Sequence, residues 1–441
     1  MRARAHECLI PGPRHLPALP HPLLRYFAAP FGPARRGGGA RLTELDGLRG
    51  WAALGVVCYH VFWETLYFRA PEMRNIVTGV FFDGGLAVSI FFILSGEALS
   101  APFFQGKGDA AVWALAIKRY TRLAIPLFAA CALIWALAAA GLLYVDQAAR
   151  FAGREHWLTD WLKFPLTLAG LLKYSLFDVF TLIRPAEEWN PFLWTMGVEL
   201  DGSLMVFAIL LFARDWRGLR LALVAAALAL AFAPCRATQN VSCFLVGLLF
   251  ADFRARGGFA ALGRPDRQKL WAAALAGILF SAGAAAYSGH HDYKNLKAIG
   301  ILFFVFAMPS ASTFFRAPLS QFLGRISFPL YLVQLPVIIS PMSAAMVVAE
   351  AHGALGRPMA YAIGIGAVAL TIALSYAFLP VERFTARVGY SLVRIAQRGQ
   401  IGDARANELK PEDPDRAPRL TPSAHAASTP APPRPSASRS Q

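Results

Sequence analysis

The sequence predicts an all-α, polytopic membrane protein with about ten transmembrane helices. Three observations carry that prediction. Hydrophobic residues make up 56% of the 441-residue chain and charged residues only 16%, a balance far from that of a soluble domain. Apolar segments of about 20 residues, the length that crosses a bilayer, recur from residue 48 to residue 380. The Lys and Arg behind the formal charge of +16 gather in short loops beside those segments. That pattern orients a protein in a lipid bilayer and argues against nucleic acid as a partner.

Taken in order, residues 1–43 mix Pro, Arg and Gly without the charged, apolar and small-residue order of a signal peptide, so a retained, basic, disordered arm is expected. Spans are expected near 48–68, 78–100, 123–145, 192–213, 219–234, 239–253, 270–287, 297–315, 322–348 and 359–380, within a membrane domain over 44–390. From 391 to 441 the chain is polar and rich in Pro, Ala, Ser and Arg, a disordered tail. With the N-terminus in the cytoplasm, the inner loops collect most of the cations, from Arg35 and Arg36 through Arg254 and Arg256 to Arg316 and Arg325. Both termini are therefore expected on the cytoplasmic side of an inner or plasma membrane. The loop 146–190 contains a further apolar stretch, 166–183. An eleventh span there would send the later basic loops outward, so an interfacial or re-entrant segment anchored by Trp157 and Trp161 is expected instead. Cys8, Cys58, Cys131, Cys235 and Cys243 are scattered without metal spacing and read as packing residues, with a Cys235–Cys243 bridge as the alternative. No metal is expected.

Ionisable residues inside apolar spans are costly, which makes them functional candidates by default. The first span carries Asp46 and Arg49 at its mouth and His60 eleven residues after the arginine. That spacing returns to nearly the same helical face and separates the two by roughly 16 Å. Glu64, four residues on, could accept a proton from one ring nitrogen or sit among headgroups. The fourth span opens with Trp194 and carries Glu199, which is expected at the depth of His60. A carboxylate and an imidazole at one level form a candidate catalytic pair, or Glu199 and Asp201 belong to a structural network. In the ninth span Ser327, Tyr331 and Gln334 share one face, while Pro329 and Pro336 are expected to interrupt the helix. At the inner surface Lys118, Arg119 and Arg122 precede Leu123 and Pro126, with both arginines on one face, suited to phosphates or to plain anchoring. Glu382 is a partner for one of these cations. Ser95 and Gly96 read as packing first and binding second. His290, His291 and Asp292 form either a solvated turn or an acceptor contact.

These residues are similar to the motifs of membrane acyltransferase family 3. The resemblance covers about residues 42–390 and rests on Leu-Asp-Gly-Leu-Arg-Gly with His60 eleven residues past its arginine, Phe-Phe-Ile-Leu-Ser-Gly, and Arg119 and Arg122 ahead of Pro126. Trp194 five residues before Glu199, Gly-Arg-Ile-Ser-Phe-Pro-Leu-Tyr-Leu, and Val381-Glu382-Arg383 complete it. It implies a cytoplasmic acyl-CoA donor, with acetyl-CoA first, and a hydroxyl acceptor of carbohydrate, glycolipid or related type. By the same resemblance His60 becomes the base, Glu199 a site carboxylate, and Arg49, Arg119 and Arg122 donor-phosphate or structural contacts. Three positions depart from the usual pattern: Ser89 stands where Asp often precedes the Phe-Phe pair, Glu97 where Phe commonly follows Ser-Gly, and Gln334 where many members have His.

The expected chemistry is O-acyl transfer in which His60 takes the acceptor proton, while Gln334, Tyr331 or a backbone amide steadies the oxyanion. A relayed acyl-imidazole is the alternative route. The rival class is a transporter or exporter of an acyl or glycan substrate, since intramembrane charges and broken helices also mark transport paths.

Overall fold

An apolar chain in a bilayer satisfies its backbone internally only as helix or closed barrel, and the Ala- and Leu-rich segments here favour helix. The computed structural model describes residues 26, 31, 32, 42–151, 157, 158, 160–181, 187–289 and 293–408, with side chains as far as residue 398. It contains no strand among the described residues. Helix α1 spans Thr43–Cys58 and continues as a π-helix over Tyr59–Thr65. Helix α2, Gly84–Pro102, begins where the Asp83 carboxylate accepts hydrogen bonds from the backbone of Gly85 and Leu86, a standard N-cap. Helix α3 is Gly108–Ala139, α4 is Leu168–Leu176, and α5 is Thr195–Ala208 with a π-helical extension over Ile209–Ala213. There follow α6, Leu219–Ala231, α7, Arg236–Ala255, α8, Gln268–Tyr287, α9, Lys294–Ala307, and α10, Pro309–Arg316. Helix α11, Pro318–Val337, passes through a π-helix at Ile338–Met342 into Ser343–Ala351. The last two are α12, Arg357–Ala377, and α13, Leu379–Glu408.

A helix stands at each of the ten positions expected for a span, yet length and composition qualify fewer. Among the described residues five helical runs are long and apolar enough to cross a membrane, or six if α9 and α10, bent by 95°, count as one. The physical causes are specific. Helices α2 and α3 fall in one run, Ile76–Ala139, and α6 has only 13 residues. Helices α1 and α7 carry Glu44, Asp46 and Arg49, and Arg236, Asp252 and Arg254, which lower their apolarity. The bend before α10 comes from extended Met308 followed by Pro309, since a residue ahead of proline avoids the helical region. Among its described residues, 166–181, the stretch 166–183 holds the nine-residue α4 and a short 3-10 turn, Asp178–Phe180. At 1.5 Å per residue α4 is about 13 Å long and cannot span.

Pro329 and Pro336 lie inside α11 without interrupting it. The irregularity comes just after, in the π-helical turn containing Pro341, where the Ile339 carbonyl accepts from the backbone N–H of Tyr144, 3.0 Å away. Cys58, Cys131, Cys235 and Cys243 are all free thiols, so Cys235 and Cys243 are not bridged. From the N-terminal arm, Tyr26, Phe31 and Gly32 are described. Arg220 donates to the Tyr26 carbonyl and lies 4.4 Å from its ring, and Phe31 is buried edge-on against Phe104. The rest of the arm to residue 41, the tail from 409, and His290, His291 and Asp292 lie outside the described residues. The chain divides into two compact units, the second beginning at Arg394.

Glycines set the closest helix crossings. A Cβ on Gly50 of α1 would fall onto the backbone of Leu323 and Gly324 of α11, and one on Gly324 would fall onto the Asp46 carbonyl. Gly96 of α2 and Gly247 of α7 abut each other's helix backbone in the same way. Small residues of this kind let membrane helices pack by dispersion. Gly50→Val is therefore expected to lose the monodisperse peak on size-exclusion chromatography in detergent. Gly277→Ala, where a Cβ meets nothing within 4 Å, should elute as the parent does.

Candidate active site

The N-terminal part of α1, the middle of α2, α3 and α11, and the first turns of α5 surround a cavity of about 300 Å³. Asp46 and Arg49 enter it from α1, Ser95 from α2, and Arg119 and Arg122 from α3. Thr195, Met196 and Glu199 of α5, Arg325, Ser327 and Tyr331 of α11, and Glu382 of α13 complete the polar part of the wall. The three-residue spacing of Arg119 and Arg122 does bring both to one place.

One wall is a charged network. Buried Arg119 is ion-paired with Glu199 Oε1. The Ser95 hydroxyl donates to the same oxygen at 2.8 Å, and Arg49 Nη2 donates to the Leu94 carbonyl at 3.0 Å and to Ser95 Oγ at 3.4 Å. Four helices are tied by these contacts, which gives Ser95 a polar role in the cavity beyond packing. Arg122 and Arg325, by contrast, are exposed and have no hydrogen bond or ion pair among the described residues. Glu382 Oε1 is buried without a hydrogen-bond partner among the described residues.

At the far end of the wall Tyr331 and Thr195 share a hydroxyl–hydroxyl bond of 2.8 Å, and the Tyr331 hydroxyl donates to the Phe192 carbonyl. The Phe192 ring then stacks on His60, with centroids 3.8 Å apart and planes 4° from parallel. His60 Nδ1 lies 2.9 Å from Gln334 Oε1, while Gln334 Nε2 donates to the Tyr331 carbonyl at 2.9 Å. An amide oxygen only accepts, so in the neutral ring Nδ1 carries the proton and Nε2 keeps its lone pair. The face of Ser327, Tyr331 and Gln334 thus runs from the arginine-lined cavity to the imidazole.

Several expected groupings come apart. His60 and Glu199 hold different partners, Gln334 for one and Arg119 with Ser95 for the other, and do not form a pair. Glu64 is buried, but the residue on Nδ1 is Gln334. Lys118 is outside the cavity wall, its Nζ 4.9 Å from the centre of the Tyr390 ring. Trp194 is 42% exposed and Phe192 takes the place beside the site. Tyr331 and Gln334 each spend a donor on a backbone carbonyl. All three departing residues have clear partners: besides Gln334, Ser89 donates to Asn295 Oδ1 at 2.6 Å, and buried Glu97 accepts from Arg254, which also reaches Glu44.

Sequence reasoning passed over Arg325, Phe192, Trp157 and Thr65 as site residues. Arg325 had a signal, standing two residues before Ser327 in the Gly-Arg-Ile-Ser run. Trp157 and Trp161, expected as interfacial anchors, instead pack around Phe192, at 6.1 and 5.4 Å, with Trp157 also 5.8 Å from His60. Among the described residues no group of three His, Cys, Asp or Glu side chains is placed to hold a metal.

An arginine-lined cavity is thus joined by one polar helix face to the His60 imidazole, within a bundle whose apolar helices mark a multi-pass membrane protein. A family model described as an acyltransferase domain matches residues 42–379, and the chain belongs to that family, acyltransferase family 3. No curated protein matches the chain, and no solved structure does.

Proposed function

We propose that this protein transfers an acyl group, acetyl first, from cytoplasmic acyl-CoA to a hydroxyl of a carbohydrate, glycolipid or related acceptor at or across the membrane. Both termini are cytoplasmic, in an inner or plasma membrane. The observation that carries the reading is the fixed tautomer of His60 at the end of the Ser327–Tyr331–Gln334 face. A base must present a lone pair, and the Gln334 oxygen leaves Nε2 as the only ring nitrogen that has one.

In this reading Arg122 and Arg325 receive the donor's phosphates at the cavity, while Arg49 and Arg119 shape the wall through Ser95 and Glu199. The thioester reaches past Tyr331 and Thr195 toward His60. Nε2 takes the acceptor hydroxyl proton as that oxygen bonds to the thioester carbon. The C–S bond then breaks, and the imidazolium returns its proton to the leaving thiolate. The purified protein with acetyl-CoA and a panel of hexosides should release CoA thiol and yield an O-acetyl sugar by mass spectrometry. Absence of both products with every acceptor, with acetyl-CoA shown to bind, overturns the reading.

Arg122 offers a second check. A hydrogen bond to a charged group contributes about 1.5–3 kcal/mol, so Arg122→Ala should raise KM for acetyl-CoA roughly 10- to 100-fold. Its exposure means that the melting temperature should stay put.

A further inference from the structure

The turn that carries His60 is π-helical from Tyr59 to Thr65. Such single π-turns are rare and need local support, because they pair residue i with i+5 where the surrounding helix pairs i with i+4. Here the support is visible. Thr65, completely buried, is the residue five after His60, and its hydroxyl donates to the His60 carbonyl at 2.8 Å. The oxygen of that hydroxyl accepts in turn from the Trp157 indole N–H at 3.0 Å. Trp157 belongs to the loop between α3 and α4, and its ring is stacked 5.8 Å from the imidazole itself.

We infer that Thr65 and Trp157 are positioning residues for His60, a relay in which the outer loop's indole holds the Thr65 hydroxyl and that hydroxyl holds the turn from which the imidazole projects. The inference rests on reading His60 as the base. Two anchors then define the ring: Gln334 fixes its edge through Nδ1, and Thr65 fixes the backbone beneath it. Loss of either lets the ring rotate away from the alignment that leaves Nε2 basic and presented. A hydroxyl is the feature required, since Val matches the shape of Thr and lacks the hydrogen bond.

The test does not depend on an acceptor. Carbethoxylation of the full-length protein by diethyl pyrocarbonate, followed by peptide mass spectrometry, reads the nucleophilicity of His60 directly, with exposed His352 as internal reference. Thr65→Val should slow modification of His60 at least about threefold, as Gln334→Leu should, with His352 unchanged and Thr65→Ser restored to the parental rate. Trp157→Phe, which keeps the ring and removes the N–H, should slow His60 in the same direction and decides the matter if Thr65→Val fails to fold. Parental reactivity in the folded variants, or a Thr65→Ser no better than Thr65→Val, overturns the inference. Failure of the reading of His60 as base would show separately, as turnover that survives in His60→Ala.

Discussion

His60→Ala is expected to lower CoA release by about 10²- to 10⁴-fold, the usual contribution of a positioned general base, with KM for acetyl-CoA changed little. The separation of effects follows from the layout. His60 does not line the arginine cavity and meets it across Gln334, Tyr331, Thr195 and Phe192. Donor phosphates held by Arg122 and Arg325 therefore lose no contact when the imidazole goes. The fall belongs in kcat, as expected for an interaction made in the transition state alone. His60→Gln sharpens the measurement, because it keeps a polar side chain near Gln334 while offering no comparable base. Turnover in either variant near that of the parent would remove His60 from the chemistry.

The ninth expected span was the most readable part of the chain. The i, i+4, i+7 pattern of Ser327, Tyr331 and Gln334 does run from cavity to imidazole. What spacing could not supply was rotation of one helix against another. Glu199 was expected beside His60 because both lie at similar depth, but its helix turns it toward Arg119 and Ser95. Depth is set by rise per residue, whereas partnership is set by which faces the glycine contacts bring together.

Glu64 illustrates a second limit. Four residues from His60, it belongs to the same face of an α-helix, yet the turn is π-helical and the residue that returns to His60 is Thr65, five on. Nothing in the local sequence announces that change of pitch. Trp157 is a third case, since a tryptophan in a loop near apolar segments reads equally as an interfacial anchor or as a packing residue, and only the path of the loop decides. The span count failed for a related reason. A hydropathy window registers apolar length, and charges that serve a buried network, such as Glu44 with Arg254 and Arg316, count against the helices that carry them.

Arg119→Met is expected to destabilise the protein by about 3–5 kcal/mol, the cost of leaving one member of a buried ion pair uncompensated. Glu199 has two partners on Oε1, the Arg119 guanidinium and the Ser95 hydroxyl. A single hydroxyl cannot neutralise a carboxylate whose side chain is only 12% exposed. The double variant Arg119→Met/Glu199→Met removes both charges and should recover much of the lost stability, because replacing a buried pair by apolar side chains of similar volume is often neutral. The signature is non-additivity: the double variant melts above Arg119→Met, read as the midpoint of tryptophan fluorescence in detergent. Equal melting of parent and Arg119→Met would mean that the pair contributes nothing to the bundle. Recovered stability without recovered turnover would place the two charges in the reaction as well as in the fold. In that case the same network that ties α1, α2, α3 and α5 together also shapes the cavity wall that the donor meets.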